Sequence, residues 1–144
     1  MSAAKARIPP ATNQVEVHPS LQQSELVQWC LAHGIAVTAY SPLGNPSLRG
    51  SDGPCPMEAD AVVSIAKAHG KTPAQVLLRW NMQRGVIVIP KSCNPGRIAE
   101  NWGVWDWALS AEDMAAMEKL DEGRRLIDGM YFAKEGQTEE ELWQ

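Results

Sequence analysis

The feature that most constrains the fold is an alternation along the sequence. Short apolar segments typical of strands are each followed by a loop and by a segment with helical periodicity. Segment 35–40, Ile-Ala-Val-Thr-Ala-Tyr, is the clearest case, because nearly all its residues are apolar. Such sequences are typical of strands covered on both faces, as in a parallel sheet flanked by helices. The sequence therefore predicts an α/β fold whose parallel strands are joined by right-handed crossovers.

Turn and capping residues predict the bounds of the elements. We expect strands at 12–17, 35–40 and 86–90, and helices at 24–33, 57–69, 72–84, 94–101 and 110–121. The clearest helix start is Thr72-Pro73-Ala74-Gln75, which combines an N-cap, a proline in the first turn and a glutamine three residues after the cap. Segment 44–56 is rich in Gly and Pro and long for a connection, so we predict a lid or binding loop there.

These three strand–helix units fit a doubly wound sheet and a (β/α)₈ barrel equally well. In both architectures ligands bind at the carboxyl ends of the strands. The residues that follow each predicted strand are therefore the candidates for a functional site.

Composition excludes several classes of partner. The 144 residues contain 13 Lys and Arg against 17 Asp and Glu, so the formal charge of −4 favours neither nucleic acid nor an anionic membrane. No apolar run approaches the roughly 20 residues that a membrane helix requires. The length predicts one domain. Three widely spaced cysteines are typical of reduced thiols, which predicts a cytoplasmic location.

The chain also contains six tryptophans but only one phenylalanine and two tyrosines. They are not paired with basic residues, so stacking on single-stranded nucleic acid is not indicated. Cys30 and His33 lack a second ligand pair, so we predict no metal site. We expect a place in the core for five of the tryptophans: Trp29, Trp80, Trp102, Trp105 and Trp107.

The first two strands end in polar and aromatic residues. Gln14, Glu16 and His18 lie among valines, which indicates one polar face. For Glu16 and His18 we expect internal hydrogen bonds, whereas Gln14 is equally suited to a ligand. Tyr40 could stack on a flat ring beside Ser41 and turn amides that hold phosphate oxygens, or it could be an ordinary core aromatic.

The third strand ends in a stronger cluster. Lys91 and Ser92 immediately precede an Asn94-Pro95 helix start, so a cation, a hydroxyl and free helix amides face one anion site. Further polar side chains follow one turn along the same helix: Arg97, Glu100 and Asn101. Each alone could be a solvated surface residue, but together they favour phosphate binding.

Five segments together resemble the aldo-keto reductases. They are Asn-Gln-Val-Glu-Val-His-Pro at 13–19, Ala-Tyr-Ser-Pro-Leu-Gly at 39–44, Lys-Thr-Pro-Ala-Gln-Val-Leu-Leu-Arg-Trp at 71–80, Ile-Pro-Lys-Ser at 89–92 and Arg-Ile-Ala-Glu-Asn at 97–101. The resemblance spans about 6–120, and the ending Glu-Glu-Leu-Trp at 140–143 is similar to plant and fungal members. It implies that 1–144 is the C-terminal part of a (β/α)₈ TIM barrel, with the last three units, a C-terminal helix and a substrate-loop-like tail at 122–144.

The resemblance also implies NADP (NADPH) as cofactor and assigns a role to each matching residue. Gln14 would bond the nicotinamide carboxamide, and Tyr40 would stack on the nicotinamide ring. Ser41 and the backbone of Leu43 would hold the pyrophosphate. The adenosine end would be bound by five residues, the first three at the 2′-phosphate and the last two at the adenine: Lys91, Ser92, Arg97, Glu100 and Asn101.

The family reduces aldehydes and ketones to alcohols with NADPH, so its substrate is a small carbonyl compound. Its catalytic Asp, Tyr, Lys and His all lie in the first half of the barrel, and His18, Tyr40 and Tyr131 do not correspond to them. We therefore predict no catalytic residue here and no activity of the chain alone, as the product of a truncated gene or gene model. The alternatives are a non-catalytic NADP-binding or interaction module that pairs its open sheet edges with another chain, and a chain that does not fold stably.

Overall fold

A computed structural model describes residues 7–44 and 54–129, together with residues 133, 134, 136, 138 and 141. Its strands are β1 (Thr12–Glu16), β2 (Ala36–Tyr40) and β3 (Val86–Val88), which form one parallel sheet in the order β1-β2-β3. Gln14 pairs with Thr38, and Thr38 with Ile87. The predicted parallel α/β arrangement is confirmed.

The described part of the chain has five α-helices: α1 (Ser24–Ala32), α2 (Asp60–His69), α3 (Pro73–Gln83), α4 (Pro95–Trp102) and α5 (Ala111–Glu118). The predicted capping box of Thr72 and Gln75 is present on α3, and Ser110 and Asp113 form a second one on α5. Among the described residues, none of the helices has the length and apolar character needed to cross a membrane.

Three predicted bounds were wrong by two residues or more, among them that of the helix predicted at 110–121, which ends at Glu118. The helix predicted at 57–69 is a 3₁₀ turn, Pro56–Glu58, followed by α2, because Ala59 between them has an extended backbone. The strand predicted at 86–90 ends at Val88, the last residue that pairs with β2. Pro90 has no N–H to donate to a ladder, which is consistent with this early end. Most of the predicted loop at 44–56 lies outside the described residues.

The core lies between one face of the sheet and the helices. Val37, Ala39 and Val86 project from neighbouring strands and are at most 2% exposed. They pack with Trp80 and Leu77 of α3, which are fully buried. Each such side chain stabilises the fold by about 1.5–3 kcal/mol relative to its exposed state.

The opposite face of the sheet has a different character, and we call Gln14, Thr38 and Ile87 its open face. The three residues are in register, with Gln14 exposed, Thr38 half-buried and Ile87 52% exposed. In a closed (β/α)₈ barrel the corresponding side chains fill the interior. The surface that forms the barrel interior in such a fold is therefore accessible in this chain.

The prediction of core positions was right for Trp80 and wrong for three other tryptophans. Trp29, Trp102 and Trp105 are 48%, 73% and 61% exposed, whereas Trp107 is half-buried and packs on the core. Trp29 stacks on the His33 ring along α1, and Trp102 contacts Trp105 edge to face. Aromatic partners and the helix surface therefore cover these rings only in part.

Candidate functional site

The parallel register brings the three strand ends to one edge of the sheet. Glu16 at the end of β1 pairs with Tyr40 at the end of β2, and Ala39 pairs with Val88 at the end of β3. The segments that follow these residues are therefore neighbours. They contain the residues that the sequence singled out as candidates for binding.

The segment after β3 folds directly into the start of α4. The Asn94 amide donates to Ser92 Oγ at 3.1 Å, and the Arg97 amide donates to Asn94 Oδ1 at 3.1 Å. The side chains of Lys91 and Arg97 are exposed beside this helix start. Two cations and the positive end of the helix dipole therefore lie close together, an arrangement suited to a phosphate.

Glu100 and Asn101 lie near the other end of α4. The Thr72 hydroxyl donates to Glu100 Oε1 at 2.6 Å, and Gln75 Nε2 donates to the Glu100 carbonyl at 3.0 Å. These bonds fix α4 against the start of α3. Glu100 therefore has a structural bond that the sequence did not suggest, in addition to the binding role predicted for it.

A groove of about 1130 Å³ lies between β3 and α4. Ser92 and Asn101 are the candidate residues that line it, which places the hydroxyl and the amide on a shared surface. The rest of its wall is largely apolar and includes Val86, Ile87, Ile98, Trp102 and Trp105. The groove is wide enough for a flat aromatic ring system.

Tyr40 and the turn after it form the second part of the site. Burial raises the pKa of the Tyr40 hydroxyl, and the Glu16 carboxylate raises it further, while a hydrogen bond and the positive charge of Arg125 oppose the shift. Tyr40 is therefore a neutral phenol at physiological pH. Ser41 has a φ of 48°, and its carbonyl accepts a hydrogen bond from the Gly44 amide at 2.9 Å, so a tight turn follows the ring. Leu43 packs partly buried against the core.

The third part of the site is centred on Glu16. Here the expected internal hydrogen bonds are confirmed. Both Glu16 and His18 are fully buried, with His18 Nε2 at 2.9 Å from Glu16 Oε1. Glu16 also accepts from the amides of Leu126 and Ile127, at 2.8 and 3.2 Å. Gln14, by contrast, is exposed on the open face and accessible to a ligand.

Sequence reasoning missed one residue of this site. Arg125 places Nη1 at 3.7 Å from Glu16 Oε2, and it opposes the rise that burial causes in the pKa of the Tyr40 hydroxyl. It follows Gly123 and Arg124 in a polar stretch without periodicity. No local pattern connects this stretch with β1 more than 100 residues earlier, so only the tertiary fold identifies Arg125.

Comparison with protein families gives a match over most of the chain. The sequence model of the Aldo/keto reductase family matches residues 1–122. Over 124 residues the chain is 48% identical to aldo-keto reductase family 1 member A1 of Mus musculus, which covers 85% of this chain and 38% of the mouse protein. Over 142 residues it is 44% identical to aldo-keto reductase family 4 member C11 of Arabidopsis thaliana, covering 96% of this chain and 44% of the plant protein.

Solved structures give the same result. The silkworm (Bombyx mori) aldo-keto reductase AKR2E5, crystallised in complex with NADPH, superposes with a TM-score of 0.78 at 38% identity. The superposition covers 85% of this chain and 38% of the silkworm chain, so the present chain spans less than half the length of these relatives. Its three strand–helix units are a partial (β/α)₈ barrel, and the chain belongs to the aldo-keto reductase family.

Proposed function

We propose that this chain binds NADP(H) and supplies the cofactor-binding part of an oxidoreductase that reduces aldehydes and ketones to alcohols. The observation that carries the proposal is the pair of exposed cations, Lys91 and Arg97, at the Asn94-capped start of α4. The 2′-phosphate that distinguishes NADP from NAD is bound by such groups. The silkworm relative crystallised with NADPH supports the choice of cofactor.

The other candidate residues suit the remaining parts of the cofactor. The exposed amide of Gln14 can bond the carboxamide, and the neutral ring of Tyr40 can stack on the nicotinamide. Ser41 and the Leu43 backbone belong to the turn that we assign to the pyrophosphate. At the far end, Glu100 and Asn101 are assigned to the adenine. Lys91, Ser92 and Arg97 are assigned to the 2′-phosphate.

We also propose that the chain alone does not catalyse the reaction. In the family a tyrosine, tuned by lysine and histidine, protonates the carbonyl oxygen, and NADPH supplies the hydride. Burial raises the pKa of Tyr40, and in the family's order its place is that of the stacking ring. The proton donor therefore belongs to the part of the barrel that lies outside this chain's match to its relatives.

A cytosolic location is part of the proposal. Cys30 and Cys55 are buried free thiols, and Cys93 is an exposed one. Reduced cysteines are usual in the cytosol, whereas exported proteins tend to form disulfides.

Titration calorimetry of the chain with NADP tests the cofactor assignment. Lys91→Glu removes a charged bond to the 2′-phosphate and adds repulsion, so we expect NADP affinity to fall at least about thirtyfold. Lys67→Glu is the matched control, because Lys67 is an exposed lysine on α2, and it should leave the affinity unchanged. NAD, which lacks the 2′-phosphate, should bind both variants equally.

Equal NADP affinity of the wild type and Lys91→Glu would contradict the assignment, as would a wild type that binds no NADP. The same sample should oxidise no NADPH when an aldehyde is added. Aldehyde-dependent oxidation of NADPH, measured as a fall in absorbance at 340 nm, would mean that a proton donor is present within the chain.

A second candidate function is an interaction module, and the exposed apolar surface favours it. Ile87, Ile98, Trp102 and Trp105 are each more than half exposed around the groove beside β3. Apolar surface next to a strand edge promotes pairing with another chain. Sedimentation velocity should then show concentration-dependent association that a Trp102→Ser, Trp105→Ser double variant weakens, and a monomer at all concentrations would count against this function.

A further inference from the structure

The carboxylate of Glu16 holds the start of the C-terminal tail against the sheet. Glu16 ends β1 and is fully buried. Its Oε1 accepts from the Leu126 amide at 2.8 Å, and its Oε2 accepts from the Ile127 amide at 3.2 Å. Both oxygens therefore bind consecutive backbone amides, a geometry that fixes the position and direction of the tail at this point.

The same carboxylate has two further partners. His18 Nε2 lies 2.9 Å from Oε1, and Arg125 Nη1 lies 3.7 Å from Oε2. A buried carboxylate is costly unless donors surround it, and each lost donor leaves a large penalty. The tail amides are therefore part of what allows Glu16 to be buried, and Glu16 in turn determines where the tail lies.

Arg125 connects this carboxylate to Tyr40. Glu16 and Tyr40 are paired across β1 and β2, and their side chains share one face of the sheet. The Arg125 guanidinium lies beside Glu16, and its positive charge and hydrogen-bonding capacity oppose the rise that burial causes in the pKa of the Tyr40 hydroxyl. Glu16 therefore influences the Tyr40 ring through a residue of the tail.

We propose that Glu16 is a positioning residue, which fixes the tail at 125–127 over the carboxyl end of the sheet and orients Tyr40 through Arg125. The effect on cofactor binding rests on the proposed function, in which the Tyr40 ring stacks on the nicotinamide. The attachment of the tail does not rest on it. Because the tail continues from this point, Glu16 also sets where the substrate-facing loop begins.

Hydrogen bonds of Arg124 hold the same segment independently of Glu16, and the test must separate the two contributions. The Arg124 amide donates to the Ser20 carbonyl at 2.9 Å, and Arg124 Nη2 donates to the Pro54 carbonyl at 2.6 Å. These contacts remain when Glu16 is changed. A role specific to Glu16 must therefore appear at Leu126 and Ile127 rather than along the whole tail.

Hydrogen exchange of the full 144-residue chain measures this directly. Glu16→Gln replaces one acceptor oxygen by an NH₂ group that cannot accept, so exchange at the amides of Leu126 and Ile127 should accelerate about tenfold or more. Amides of β2 should change by less than about twofold if the sheet stays intact. Glu25→Gln, the same substitution at an exposed position of α1, is the matched control and should leave the exchange at both sites unchanged.

Ultraviolet titration of Tyr40 tests the link through Arg125. The chain has two tyrosines, so the variants are made in a Tyr131→Phe background that leaves Tyr40 as the single phenol. Glu16→Gln removes a carboxylate that raises the Tyr40 pKa and should lower it, whereas Arg125→Met removes a donor cation and should raise it further. If Glu16 and Arg125 had a merely structural role, the Tyr40 pKa would shift in the same direction in both variants.

Unchanged exchange at Leu126 and Ile127 in a folded Glu16→Gln protein would overturn the proposal. If Glu16→Gln does not fold, Arg125→Met decides the matter, because its guanidinium is partly exposed and its loss should shift only Tyr40 and the tail. A Tyr40 pKa unmoved by Arg125→Met would then overturn it. Failure of the wild type to bind NADP would contradict the proposed function but leave the exchange result intact.

Discussion

Trp80→Ala is expected to destabilise the fold by about 3–5 kcal/mol, the largest effect we expect of a single truncation among the described residues. Trp80 is fully buried and lies in the cluster formed by the sheet and the helices. The Arg84 guanidinium also lies over its ring, 4.3 Å from the centroid. Since small domains are typically stable by about 5–15 kcal/mol, this loss is a large share of the total stability. Urea denaturation followed by circular dichroism measures the loss.

Trp102→Ala provides the matched control for this prediction. Trp102 is 73% exposed and contacts Trp105 edge to face. Removal of an exposed ring typically changes the free energy of unfolding by less than about 1 kcal/mol. If both variants lost the same free energy of unfolding, Trp80 would not be the central side chain of the core.

Gly44→Ala is expected to cost about 2–5 kcal/mol, the second-largest effect. Gly44 has a φ of 71°, a conformation that costs a residue with a Cβ about 1–2 kcal/mol. An added Cβ would also lie only 2.5 Å from Pro56 Cδ, and overpacking of this kind adds about 1–3 kcal/mol. Because Gly44 closes the turn after Tyr40, NADP affinity should fall together with stability.

Gly70→Ala separates the two contributions. Gly70 ends α2 with a φ of 60°, and a Cβ built there meets no atom within 4 Å. Its substitution should therefore cost only the backbone part, about 1–2 kcal/mol. If denaturation gives the same loss for Gly44→Ala, contact with Pro56 is relieved by movement of the loop and the steric argument fails.

The features that sequence predicted correctly depend on neighbouring residues. Thr72 and Gln75 form the predicted capping box because both partners lie within one helical turn. The apolar run at 35–40 identifies β2, although only alternate residues of the strand are fully buried in the structure. The family resemblance likewise rests on short segments of sequence, and the family model matches residues 1–122.

The features that sequence missed depend on distant residues or on exposure. Nothing near Glu16 in the sequence indicates that its partners are the amides of Leu126 and Ile127. Trp102 and Trp105 are large apolar residues of a type that is usually buried. They are exposed because of the position of α4 at the side of β3. The binding roles of Gln14, Tyr40 and the cations around Asn94 stay predictions that the proposed titrations test.

The bond between Glu16 and Leu126 joins residues 110 positions apart. Each strand of the sheet, by contrast, pairs with the next strand along the chain. Because the entropy lost on closing a loop grows with its length, the strand–helix units should form in order, and the tail should dock afterwards. A ribosome that makes this chain would release the last residues only after the sheet exists. The contact proposed to orient Tyr40 would then be a late step of folding, so the cofactor site would be complete only after residues 125–127 have docked.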